Sequence, residues 1–238
     1  MNNIAYITGT SRGIGKALAE VLLEEGWSVT GISRQQTVEH AAYKHLSLNL
    51  SDPWQQWLPH VFAQHEGAKR LLLINNAGTL GEVGYVGHIS PEAIANAIAV
   101  NVTAPALLMN EFVKSYPQQQ KLVLNISSGA AQYPVDGWSI YCSSKAALDM
   151  LSEVGAHEVE LAKKNNLHVF SISPGVVDTN MQEQIRHTEK KAFSRVAYFQ
   201  QLKSGKRLAD PTEVARQLMM LINHPKEFKG VKQDVRKM

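Results

Sequence analysis

Short apolar runs alternate with longer segments of helical period from one end of the chain to the other. Strand-like runs fall at 4–8, 28–33, 44–48, 70–75, 121–127 and 167–173, and amphipathic stretches at 13–25, 53–65, 91–115 and 141–165. Leu71-Leu72-Leu73-Ile74 and Leu122-Val123-Leu124 lack polar alternation, as strands covered on both faces do. This regular alternation predicts a doubly wound, Rossmann-type α/β fold, with helices on both faces of a parallel sheet of six or seven strands.

Helix ends are marked locally. Ser90-Pro91-Glu92 and Asp210-Pro211-Thr212-Glu213 each offer a capping side chain, a proline at the first helical position and an acid in the first turn. The second predicts a helix near 212–223. Gly26 stands where the first helix should stop. No repeat, low-complexity tract or linker divides the chain, so 1–238 reads as one domain. The stretch 179–209 is more charged and less regular, and is expected to be a mobile lid. The tail 230–238 lacks an apolar run, so any seventh strand should be short.

Composition narrows the partners. With 44% apolar and 19% charged residues the chain is globular rather than disordered. A net charge of +3, both signs interleaved, is too mild to imply nucleic acid. The single cysteine, Cys142, excludes an intramolecular disulfide. No apolar run approaches the ~20 residues that span a bilayer, and 4–8 reads as a strand rather than part of a leader. A cytoplasmic protein without membrane contact is expected. The nine histidines show no ligand spacing, and no metal is expected.

Candidate chemistry begins at Thr8-Gly9-Thr10-Ser11-Arg12-Gly13-Ile14-Gly15, between the first strand and the first helix. Glycines there permit a tight turn and close approach of backbone to a pyrophosphate, which the helix N-terminus favours. The second strand ends in Gly31-Ile32-Ser33-Arg34. It lacks the acid that usually binds an NAD ribose, while Arg34 and Arg12 suit a 2′-phosphate, so NADP(H) is the expected cofactor.

Further along, Tyr141 and Lys145 stand four apart at the start of a helical stretch and share a face. A neighbouring ammonium stabilises phenolate and fits the phenol for proton transfer. Ser128 follows a buried strand, at the sheet edge where ligands bind. Pro105, four residues after Asn101, has no N–H to give the Asn101 carbonyl, which leaves that carbonyl for a water.

These motifs resemble the short-chain dehydrogenase/reductase family along nearly the whole chain: the glycine turn, Asn75-Asn76-Ala77-Gly78, Asn101, Ser128, Tyr141-x-x-x-Lys145 and Pro174-Gly175. The resemblance implies that Ser128 holds a substrate carbonyl and Tyr141 donates its proton. It implies that Lys145 binds the nicotinamide ribose and lowers the tyrosine pKa, that Tyr141 also contacts the cofactor, and that Asn101 supports a water relay to Lys145. Cofactor contacts would come from Gly9, Ser11, Arg12, Gly13, Ile14 and Gly15, and from Ser33 and Arg34. Asn49 and Leu50 would lie near the adenine, although the family often has Asp at 49. Asn76 would line the adenosine side, with Ala77 and Gly78 also at the cofactor. Pro174, Gly175, Val177 and Thr179 would surround the nicotinamide.

Gly137-Trp138-Ser139-Ile140-Tyr141-Cys142 and Asp178-Thr179-Asn180-Met181-Gln182 are similar to the sepiapterin reductase branch and its bacterial benzil reductase relatives. That similarity implies reduction of a ketone or α-diketone, with Ser128, Trp138 and Met181, joined by Tyr133, as the substrate pocket. Asp234 is the only acid in a tail that departs from the apolar last strand of the family, so a diketone is expected ahead of a pterin. The basic stretch 186–207 leaves a 3-oxoacyl-carrier reductase open, and a non-catalytic NADP sensor is the reading from another class. By family analogy, 91–115 and 141–165 would form a homodimer or homotetramer.

Overall fold

The computed structural model describes residues 3–63, 65 and 67–238. Its frame is a seven-stranded sheet, β1 (Asn3–Thr8), β2 (Ser28–Ser33), β3 (Tyr43–Ser47), β4 (Arg70–Asn75), β5 (Gln120–Ile126), β6 (Leu167–Ser173) and β7 (Lys232–Asp234). The order is β3-β2-β1-β4-β5-β6-β7, and every neighbouring pair is parallel. Strand order reverses between β1 and β4, opening a crevice at the carboxyl edge of the kind where α/β proteins bind ligands. The six expected strands all form, within a residue of the expected bounds, and β7 is short.

Helices cover both faces. On one, α1 (Gly13–Glu24) and α8 (Pro211–Asn223) pack on the sheet through Leu18, Leu22, Leu218 and Ile222. On the other, α4 (Ala104–Ser115) buries Leu108 and Phe112 against Leu73 and Val123, and α5 (Ser139–Leu161) runs beside β5 and β6. Gly26 closes α1 at φ 79°, a left-handed conformation that suits glycine. Ser90 and Asp210 cap as expected, accepting backbone N–H bonds from Ala93 and from Thr212 and Glu213.

Four expectations need correction. The stretch 53–65 holds only α2 (Trp54–Trp57) and one 3₁₀ turn, Leu58–His60. Pro59 removes a helix N–H and its ring collides with the preceding turn; Gln64, within that stretch, lies outside the described residues. The stretch 91–115 is not one regular helix. Between α3 (Pro91–Ile98) and α4 stands a π turn, Ala99–Thr103, where Pro105 withholds its N–H. That combined helix, Pro91–Ser115, is also long and apolar enough to cross a membrane by length and composition; here it seats Leu108 and Phe112 on the sheet.

The fourth correction concerns 179–209, which is more regular than expected. It contains α6 (Asn180–Arg186) and α7 (Val196–Ser204). Its neck is pinned by the Val177–Ala209 bridge, with Asp178 N–H to Ala209 O at 2.9 Å and Ala209 N–H to Val176 O at 3.0 Å. Phe193, Val196, Phe199 and Leu202 are buried in a cluster of their own with Trp138 and Tyr141. Burial of that much aromatic surface makes it a packed flap rather than a loose strap.

Candidate active site

The glycine turn is built by close approach. A Cβ at Gly15 would stand 2.3 Å from the Gly9 carbonyl oxygen and 2.3 Å from Asn76 Nδ2. Gly9 and Gly13 have φ of 77° and 57°. The Asn76 amide donates to the carbonyls of Thr8, at 2.9 Å, and Gly9, at 3.3 Å, so its side chain braces the turn. Thr8 Oγ1 accepts from the N–H groups of Asn76 and Ala77 at 3.0 and 2.9 Å, tying the end of β1 to the end of β4.

These contacts leave the start of α1 open. Arg12 is its N-cap in extended backbone, no side chain caps it, and no acid stands in the first turn. Uncapped N–H groups at a helix start favour an anion. With a cradle that a Cβ would fill, they fit a dinucleotide pyrophosphate. Arg12 and Arg34 are both exposed beside this turn, and neither has a carboxylate partner among the described residues.

Ser33 is buried at the end of β2, with Thr10 Oγ1 3.4 Å from its hydroxyl and 3.0 Å from that of Tyr43. Asn49 caps its own loop: it accepts from Ser51 Oγ at 2.9 Å and donates to Asp52 at 2.9 Å. Leu50 is half-buried against the α4 core. Thr179 reaches across to Gly13, its Cγ2 3.2 Å from where a Cβ would lie. Val177 is buried at the neck of the flap, Ile14 is partly buried, and Ser11 accepts a 2.9 Å bond from Thr37 at its carbonyl.

The second half of the site lies across the same edge. Ser128 follows β5, and α5 brings Tyr141 and Lys145 to it. Tyr141 is 7% exposed; burial pushes its pKa up, and a hydrogen bond from the Ser128 side chain opposes the shift. Lys145, 3% exposed, donates to the Ile126 carbonyl at 2.7 Å, and its ammonium stands 5.9 Å from the Tyr141 ring. Burial lowers its pKa to about 8, against the pull of Asp149 one turn on. The phenol pKa therefore moves up with burial rather than down as expected.

Asn101 is fully buried in the π turn. Its Oδ1 accepts from Thr79 N–H at 2.9 Å, and its Nδ2 donates to Thr79 O at 2.8 Å and Ser144 Oγ at 3.0 Å. Ser144 Oγ in turn donates a hydrogen bond to the Tyr141 carbonyl at 2.8 Å, so the Asn101 side chain anchors the first turn of α5. Gly78 threads between, where a Cβ would lie 3.3 Å from Lys145 Nζ and 3.5 Å from Asn101 Oδ1.

Trp138 sits closer to a core role than to an open wall. It is 7% exposed, stacked on Phe193 at 5.0 Å and edge-on to Tyr141 at 5.7 Å. Met181 is partly buried against the same cluster, and exposed Tyr133 lies at the rim with its hydroxyl near Gly129. Cys142 is half-buried, and burial raises its thiol pKa. Pro174 and Gly175 follow β6 on this edge. Sequence reasoning missed Tyr43, Ser144 and Asp149, since a lone polar residue in a strand or helix carries no motif.

A parallel sheet with a helix-end anion cradle, opening beside a buried Tyr–Lys pair with a half-buried serine, is the layout of a dinucleotide-dependent oxidoreductase. The chain belongs to the short-chain dehydrogenase family, whose model matches residues 3–190. It is an enzyme of that oxidoreductase family, whose members use nicotinamide cofactors. Benzil reductase ((S)-benzoin forming) from Bacillus subtilis (strain 168) is 36% identical over 225 residues, covering 91% of both chains. Sepiapterin reductase from Meriones unguiculatus is 35% identical over 243 residues, covering 92% of this chain and 90% of its own. Among solved structures, the KRED1-Pglu enzyme superposes with a TM-score of 0.81 at 26% identity over 92% of this chain and 94% of that one. The 4-hydroxyisoleucine dehydrogenase complexed with NADH gives 0.80 at 26% identity, over 98% and 96%.

Proposed function

We propose that this enzyme reduces a ketone or α-diketone carbonyl to an alcohol with NADPH, the substrate oxygen held by Ser128 and protonated by Tyr141. The observation that carries the reading is the cluster at one sheet edge, half-buried Ser128 against buried Tyr141 with Lys145 beneath. Benzil and sepiapterin reductases as relatives support a carbonyl, and a vicinal diketone in particular.

Reduced nicotinamide supplies the hydride when bound. The chain does the rest. Ser128 positions the carbonyl oxygen; Tyr141, kept protonated by burial, gives its proton to the alkoxide as charge builds there. Lys145, charged below about pH 8, stabilises the phenolate left behind. Asn101 and Ser144 hold the turn of α5 that carries the tyrosine. The flap, with Asp178 bonded to Lys203 and facing Arg186, keeps water from the reacting carbon. Following NADPH absorbance with benzil, sepiapterin and an acetoacetyl thioester tests the reading. Turnover of the diketone supports it, preference for the thioester favours an acyl-carrier reductase, and silence on every carbonyl favours a sensor.

The charge at the end of β2 supports NADPH, although one solved relative holds NADH. Arg34→Asp is expected to lower the kcat/KM ratio of NADPH over NADH about 10–100-fold, because it removes a charge-assisted bond and adds repulsion. An unchanged ratio would show that the 2′-phosphate is read elsewhere.

The pH profile offers a second check. Reduction should fall as pH rises through about 8, where Lys145 loses its proton while Tyr141 keeps its own. Asp149 is buried and accepts from Ser171 Oγ at 2.6 Å. Asp149→Asn retains an acceptor but removes the charge that favours the ammonium, so the alkaline limb should move to lower pH. A limb at the same pH in a folded variant would exclude this role.

A further inference from the structure

The chain's last residues climb back to the catalytic edge. β7 pairs with the end of β6 so that Asp234 lies opposite Ser173. Val235, 1% exposed, plugs into the core and turns the tail, and Arg236 then faces solvent with its side chain two-thirds exposed. Asp234 fixes that side chain: its Oδ1 accepts from Arg236 N–H at 3.1 Å and Nε at 2.9 Å, and its Oδ2 from Nη2 at 2.5 Å.

The stem of Arg236 crosses Gly175, where a Cβ would come within 3.2 Å of Cδ and 3.4 Å of Cγ. Only a residue without a side chain leaves room for it, and the φ of 79° there favours glycine as well. Across the rim, a Cβ at Gly129, next to Ser128, would lie 3.4 Å from the Tyr133 hydroxyl and 3.9 Å from Ser173 Oγ. Ser128, Tyr133, Ser173, Gly175 and Arg236 thus form one continuous edge. The Tyr133 and Tyr198 phenols lie within electrostatic reach of Arg236, and Arg195, on the flap side, stands 5.1 Å over the Tyr198 ring. The acid nearest Arg236 is the Asp234 that it already neutralises, with Lys237 close by. Nη1 of Arg236 has no partner among the described residues.

We propose that Arg236 is a specificity residue that receives an anionic group, such as a carboxylate, on the part of the substrate remote from the reduced carbonyl, with Asp234 holding the guanidinium in place. The edge would then select keto compounds with an acidic far end over neutral or cationic ones. This rests on carbonyl reduction at Ser128 and Tyr141, proposed above. An exposed guanidinium held by one carboxylate is worth a modest gain, on the order of five- to tenfold in affinity for a monoanion.

The experiment compares benzil, 4-carboxybenzil and its methyl ester in the NADPH-driven reaction, with the wild type, Arg236→Gln and Arg236→Glu. The wild type should favour the acid over the ester about five- to tenfold in kcat/KM, through KM. The preference should vanish in Arg236→Gln and invert in Arg236→Glu, with benzil kinetics and melting temperature unchanged. Equal treatment of acid and ester by the wild type and Arg236→Glu overturns the proposal while diketone reduction stands. A wild-type preference for the 4-aminomethyl analogue over the acid, lost in Asp234→Asn, also overturns it, since Asp234 would then be the recognising group. If benzil itself is not turned over, the reduction reading fails, and calorimetric binding of the same acid and ester decides the role of Arg236.

Discussion

Tyr141→Phe is expected to lower kcat for NADPH-driven diketone reduction by about 10²–10⁴-fold, the range for loss of a positioned proton donor. The substitution removes one oxygen and little else. The ring keeps its edge-on packing against Trp138 at 5.7 Å, and α5 keeps its anchor through Ser144 and Asn101. NADPH affinity, measured by fluorescence titration, should stay within about twofold, because the phenol is asked to act only as charge develops on the substrate oxygen. Phenylalanine carries no proton to give at any pH, so the variant's rate should not recover anywhere in the pH profile. Full speed in Tyr141→Phe would place the proton donor elsewhere and undo the reading of the site.

The second large effect belongs to the cofactor half. Gly15→Ala should raise the NADPH dissociation constant at least about tenfold and destabilise the fold by about 1–3 kcal/mol, as overpacking does. A methyl there meets a backbone carbonyl and the Asn76 amide at 2.3 Å each, and neither is the free end of a flexible chain. Asn76 must give up the carbonyls of Thr8 and Gly9, and the turn opens. In a domain of this size each kcal/mol lowers Tm by roughly 2–4 °C, readable by calorimetry. Gly67→Ala, whose Cβ would touch nothing within 4 Å among the described residues, is the matched control and should leave both quantities unchanged. Unaltered cofactor affinity in Gly15→Ala would mean that the dinucleotide does not lie along this turn.

Both predictions use residues that were legible as motifs, yet the roles of several changed once neighbours were known. Resemblance alone puts Asn76 at the cofactor, whereas in the fold its Nδ2 braces the glycine turn. The pairing of Tyr141 with Lys145 suggested an acidified phenol; in the folded chain desolvation dominates the tyrosine and lowers the lysine to about 8. Trp138, expected at the substrate, is stacked on Phe193 beneath the flap. Arg236 carried no signal at all, because nothing in a polar tail says that it pairs beside Ser173.

What the sequence determined by itself is the order of elements and the local chemistry at their ends. Strand and helix periods, caps, the glycine turn and the proline after Asn101 each act within a few residues, so they can be read along the chain. The tertiary structure alone decided which distant groups share one edge: Thr179 against Gly13, Asn101 against Ser144, Arg236 across Gly175. It also decided how far each ionisable group is withdrawn from water, which sets the charge of Lys145 and Tyr141. Both are properties of packing between segments far apart in sequence, and no local pattern encodes them.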